Sequence, residues 1–184
     1  MNRPRRAPRA AVLCALLLMA GGASGCGSVE PKVPGCGEAA RLALVAQSVP
    51  TSSYVPCLTE LPAGWSVTRF DAARGGTSFA LLSDRADGRP VEVRLQRRCV
   101  TSGASPEPPR TAGGRTYLLL DSISPRYSGT LLDVFPGGCV TYRFDFARGP
   151  HLALMEELFV TVDLLPRRQL RLELRRDLDL ELDP

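Results

Sequence analysis

The 184-residue chain contains none of the sequence signatures that usually mark an enzyme. It has no G-x-S-x-G, no P-loop, no dinucleotide fingerprint and no H-E-x-x-H, so the common routes to hydrolase, nucleotide or zinc-peptidase chemistry are missing. Histidine occurs once, at His151, and no C-x-x-C spacing exists. That leaves too few soft ligands for a zinc site. The glycine and twelve-residue frame of an EF-hand are also absent, so neither a metal nor a cofactor is expected. Aromatics make up only 6%, and Lys32 is the single lysine. What remains is an ordinary globular composition, 44% hydrophobic and 23% charged with 17 glycines and 16 prolines. It excludes collagen, a coiled-coil rod, a polytopic membrane protein and a wholly disordered chain.

The formal net charge of +4 is concentrated at one end. Arg3, Arg5, Arg6 and Arg9 precede any acidic residue, the first of which is Glu30. Without residues 1–25, four arginines and no acids are lost, leaving 19 basic and 19 acidic residues. A formally neutral body has no long-range field to draw it onto nucleic acid, which is therefore not expected as a partner. The four arginines lead into an apolar run, Ala10 to Ala20. As a helix it would be about 16 Å long, roughly half a bilayer's hydrocarbon thickness. A basic start, a short apolar stretch and then small residues predict a secretory signal over residues 1–25.

The small residues Ala23-Ser24-Gly25-Cys26 resemble a bacterial lipobox. The resemblance implies cleavage before Cys26 and a diacylglycerol on its thiol, with leucine commoner than alanine at the position of Ala23. Ordinary signal-peptidase cleavage after Ala23 is the alternative. Cysteine parity bears on the choice. Beyond the leader lie Cys26, Cys36, Cys57, Cys99 and Cys139, and acylation of Cys26 would leave four to pair in an oxidising compartment. Residues 26–35 then read as a lipidated cysteine and short tether, and residues 36–184 as a single domain.

Within that domain, Leu42, Val45, Ala46 and Val49 mark the buried face of a helix over Glu38–Ser48. The proline-rich stretch up to Leu61 is unsuited to a central strand. Strand patterns follow at Trp65–Phe70, Thr77–Ser83 and Val91–Cys99. Residues 101–114, rich in Ser, Pro and Gly, read as a loop or hinge, with a disordered segment as the alternative. A second strand triplet spans Thr116–Ser122, Thr130–Phe135 and Cys139–Phe146. Pro150–Val162 reads as a helix with Leu152, Met155, Phe159 and Val162 on one face, while Val160-Thr161-Val162 suits a strand equally well. Leu170 and Leu174 mark another helix, and Leu178, Leu180 and Leu182 suggest a terminal strand whose acids protect its edge. The fold class predicted is α+β: an antiparallel sheet of about six strands in two triplets, with helices at both ends covering one face.

Of three possible disulfide connectivities, Cys36–Cys57 with Cys99–Cys139 is favoured. The first pins the amino-terminal helix to the proline-rich segment, and the second joins the triplets across the long loop. Candidate ligand contacts are Arg126 and Tyr127 in the loop SPRYSG, with Arg143 on the polar side of its strand. A guanidinium fork beside a flat ring suits a headgroup, sugar or peptide. No pair of carboxylates stands out as catalytic, and His151 reads as a surface residue.

The segments LPAGW, PRYSGT and FPGGCVTYRFDF resemble a group of envelope lipoproteins from high-GC Gram-positive bacteria. The resemblance implies a location and a shared domain, with no activity attached. The expected function is thus a lipid-anchored binding or accessory domain on the outer face of the cell membrane, with an integral membrane or cell-wall partner. The alternatives are a small envelope hydrolase using paired carboxylates and an accessory subunit of an integral membrane enzyme.

Overall fold

A computed structural model describes residues 32–87, 89–147 and 150–183. The expected signal peptide and Cys26 lie outside the described residues. The order is α1 (Ala39–Ser48), β1 (Tyr54–Leu58), β2 (Trp65–Ala73), β3 (Gly76–Ser83), β4 (Arg89–Gln96) and β5 (Ser105–Glu107). Next come β6 (Arg115–Ser122), β7 (Tyr127–Phe135), β8 (Gly138–Phe146), α2 (His151–Thr161), β9 (Val162–Pro166) and α3 (Arg167–Leu178). The architecture is α+β. Seven antiparallel strands run in the order β2-β3-β4-β8-β7-β6-β5, and β1 pairs with β9 in a separate two-stranded sheet.

The two expected triplets are two meanders that meet at β4 and β8, where Val93 faces Tyr142 and Leu95 faces Val140. Alternation fixes the faces, because successive side chains of a strand point to opposite sides. Val91, Val93 and Leu95 of β4 and Val140, Tyr142 and Phe144 of β8 are at most 1% exposed. Arg143, Asp145 and Glu92 point to the other, polar face. Helix α1 buries the four residues its spacing predicts, packing over β2 and β3 and against α3.

Three expectations need correction. Residues 101–114 are ordered: Ser105–Glu107 add a seventh strand, and Tyr54 donates a hydrogen bond to the Ala112 carbonyl at 3.0 Å. Strand β9 ends the helical reading at Thr161, since β-branched Val162 continues into extended backbone beside β1. The proline-rich stretch supplies no central strand, as expected: Pro56 sits in β1, an edge strand of the two-stranded sheet. No terminal strand forms at Leu178–Leu182. Helix α3 runs through Leu178 and is stopped by Asp179 in the left-handed conformation, φ 52°, and Leu182 folds back into the core.

The disulfides join Cys36 to Cys57 and Cys99 to Cys139. Strand β4 ends at Gln96, so Cys99 lies beyond the pleat and its strand parity does not apply. The chain must then cross β8, β7 and β6 to reach β5. It does so over the polar face, where Gly103 approaches Leu119, and the second disulfide staples this crossing to the start of β8. At the β7–β8 turn, Gly137 has φ 77° and lies against the Thr51 carbonyl, leaving no room for a Cβ.

Candidate functional site

Of the three expected ligand contacts, Arg126 and Arg143 lie on one face of the sheet and Tyr127 on the other. Arg126 precedes β7, and its Nε donates to Asp145 on the polar face at 2.8 Å. Arg143 stands on that same face, exposed and without an ion pair among the described residues. Together with Arg89, Glu92, Asp121, Ser128 and Asp145 it lines an open hollow of about 400 Å³ with charges of both signs. Tyr127, one residue after Arg126, points to the opposite face. Its ring stacks on Phe144 at 5.2 Å and on His151 at 5.5 Å. Burial and the nearby Glu107 carboxylate both raise the Tyr127 pKa. His151 is likewise no free surface residue: it is half-buried, stacked against Tyr127 and Phe146, and its Nδ1 has no partner.

Tyr127 instead belongs to a cleft of about 540 Å³ between α2 and the inner face of β6 and β7. Its position follows from how far the helices extend across the sheet. In β6, Leu118 and Leu120 share the inner face with Leu131, Tyr142 and Phe144. Yet Leu118 is only half-buried and Leu120 is 39% exposed. The helical layer stops short of the β5–β6 end.

Helix α2 supplies the facing wall. It buries Leu154, Met155, Leu158 and Thr161, so of the predicted stripe Met155 and the following Val162 are buried, whereas Phe159 is half-buried and Leu152 is exposed. Leu152, Met155 and Phe159 line the cleft, with Leu152 75% exposed. The helix carries two apolar stripes, and the pattern of residues could not say which one faces the core.

A fixed cation closes the inner end of the cleft. Arg110 Nη1 donates to Asp133 Oδ2 at 2.9 Å, and its Nη2 donates to the carbonyls of Phe159 and Val162. The guanidinium lies 4.5 Å from the Phe159 ring centre and 5.1 Å from that of Tyr142. Asp133 is 1% exposed and also accepts from Thr116 Oγ1 at 2.7 Å. Tyr142 is wholly buried beside this pair, which raises its pKa, and its hydroxyl has no hydrogen bond of good geometry. Arg110 therefore ties the 101–114 segment to α2 and β9, and its donors are committed within the fold.

At the mouth stand Glu107, from β5, and Glu156, from α2. Both are exposed, and neither forms an ion pair among the described residues. Apolar walls, a satisfied cation inside and two open carboxylates at the rim make a surface suited to recognition. Of these cleft residues only Tyr127 was expected to contact a ligand; Leu152, Met155 and Phe159 were expected in the core. The one available signal was the composition of HLALMEELFV, apolar on more than one side.

The opposite side of α2 is occupied differently. Glu157 accepts from Trp65 Nε1 at 2.7 Å and is clamped by both terminal nitrogens of Arg85. These bonds, with the arginine first, lower the Glu157 pKa.

No family model, no curated protein and no solved structure matches this chain. Among the described residues, no helix is long and apolar enough to cross a membrane. The two disulfides are compatible with an exported domain.

Proposed function

We propose that this protein is an exported domain held at the outer face of the cytoplasmic membrane by a lipid on Cys26, and that it acts by binding a partner. The observation that carries the binding role is the cleft beside α2, a hollow of about 540 Å³ whose walls are mostly apolar and where Leu152 is 75% exposed and Phe159 half-buried. Apolar clefts with a few polar groups at the margin are the usual form of a binding site. The lipobox-like segment and the resemblance to envelope lipoproteins support the anchor and the location. The fold takes up the chain at Val33, which is buried. The stretch from Cys26 to Lys32 would then span at most about 25 Å, keeping the domain close to the bilayer.

The hydrolase reading is the weaker one. A general acid at neutral pH needs burial to stay protonated, whereas Glu107 and Glu156 sit exposed at the rim. An accessory subunit of a membrane enzyme is a special case of the binding role.

Two measurements test the proposal in intact cells. Labelled palmitate is expected in the chain and absent from a Cys26→Ala variant; labelling that persists in the variant removes the anchor. A photo-crosslinker at position 152 is expected to give a discrete adduct that one placed at exposed Leu44 does not. Identical adduct patterns at the two positions would remove the cleft as the binding surface.

A further inference from the structure

We infer that the cleft receives a helix: an amphipathic helical segment of a partner protein, apolar on one side and flanked by basic residues. This rests on the reading of the cleft as the binding surface and names what fills it. Leu152, Met155 and Phe159 are spaced i, i+3 and i+7, the spacing of a ridge that packs against a neighbouring helix. They flank the stripe Leu154, Leu158 and Thr161 that already faces the core. Met155 is seated in the core at the base of this second stripe, while Leu152 is exposed and Phe159 half-buried on its open side, a ridge shaped for a helical neighbour.

The floor points the same way. Seven strands at about 4.8 Å spacing make a sheet roughly 29 Å wide, enough for about three helices side by side at 8–10 Å. Helix α1 covers the β2–β3 end and α2 lies near the middle. Over β6, the partly bared Leu118 and Leu120 mark a vacant lane beside α2. A helix laid there would bury both leucines together with the α2 stripe.

The rim sets the charge of the occupant. Glu107 and Glu156 reach the lane from its two sides, and neither is neutralised within the described residues. Arg110, the one cation lining the cleft, is already paired with Asp133. An acidic segment or an anionic lipid would meet two uncompensated carboxylates, whereas lysines or arginines flanking an apolar stripe would meet partners.

The test uses the full chain, held in lipid nanodiscs to accommodate its anchor, and fluorescent 18-residue model helices. One helix carries leucine at i, i+3, i+4 and i+7 with lysine elsewhere, and a second replaces every lysine by glutamate. The lysine helix is expected to bind about tenfold more tightly than the glutamate helix at low salt. Leu152→Asp should weaken it at least tenfold. Val160→Asp, an equally exposed position of α2 that does not line the cleft, should leave it unchanged. A Glu107→Gln, Glu156→Gln double variant should erase the preference for lysine.

Equal binding of both helices, or equal loss in the two α2 variants, overturns the proposal. So does the absence of any helix binding. If the photo-crosslink at position 152 survives while both helices fail to bind, the cleft still binds but its occupant is not a helix. Concentration-dependent dimers abolished by Leu152→Asp would instead assign the lane to a second copy and overturn the present choice.

Discussion

At the scale of single residues, the best-defined polar contacts bind segments that are far apart in the chain. Trp65, Arg85 and Glu157 bring together the start of β2, the β3–β4 connection and α2 around one carboxylate. Because folding lowers the Glu157 pKa from its ordinary value of 4.5, the folded state binds this proton less readily than the unfolded chain. The stabilisation is complete above that ordinary value and is lost as pH falls through the lowered one. Urea midpoints measured from pH 7 to pH 2.5 should therefore fall less steeply in Glu157→Gln than in the unaltered protein, with the two curves converging at the acid end. Parallel curves would mean that this carboxylate contributes nothing to the acid sensitivity. Arg126, by contrast, illustrates how neighbours in sequence part company: it pairs with Asp145 on one face while Tyr127 stacks on the other. An alternating strand makes that separation automatic, and it parts Tyr127 from the Arg126 neighbour with which it was expected to hold a ligand.

At the scale of elements, α2 carries most of the functional argument because its two apolar stripes have different fates. Leu158 is fully buried, and truncating it removes packing that the core cannot recover. Leu158→Ala should cost roughly 2–5 kcal/mol in thermal or urea unfolding. Leu152→Asp, at a position three-quarters exposed, should stay within about 0.5 kcal/mol of the unaltered protein. A large loss from Leu152→Asp would show that the residue packs inside the fold and is not part of an open surface. The expected assignment of Leu152 to the core failed for a physical reason. Helical periodicity reports that a stripe is apolar, not which neighbour lies against it. The same limit explains α3, where Leu178, Leu180 and Leu182 alternate like a strand but the helix claims Leu178 and a left-handed residue turns the chain back.

At the scale of the whole molecule, the structure is two meanders joined at β4 and β8, with a long crossing that carries the chain from β4 to the far edge. The Cys99–Cys139 bridge closes a span of 40 residues over that crossing. Chain-entropy arguments assign such a bridge about 3–4 kcal/mol. Cys99→Ala and Cys139→Ala are each expected to lower the melting temperature by several degrees under oxidising conditions, and a reductant should bring the unaltered protein toward the same value. Unchanged melting in both variants would show that packing of the crossing suffices without the bridge. The bridge also acts at a distance. It holds the start of the segment that later supplies Glu107 and Arg110 to the cleft, so the variants should weaken lysine-helix binding as well.

The sequence alone established the α+β class, the two strand triplets, the buried face of α1 and the preferred pairing of the four domain cysteines. These depend on local periodicity, turn residues and order along the chain, all of which are written in neighbouring positions. Only the tertiary structure decided the seventh strand, the pairing of β1 with β9 and the cleft beside α2. Each of these depends on surfaces meeting across many tens of residues. Glu107 and Glu156 lie 49 positions apart in the chain. What makes them a pair is that the helical layer ends one lane short of the sheet's edge, and that shortfall is set by how all three helices pack.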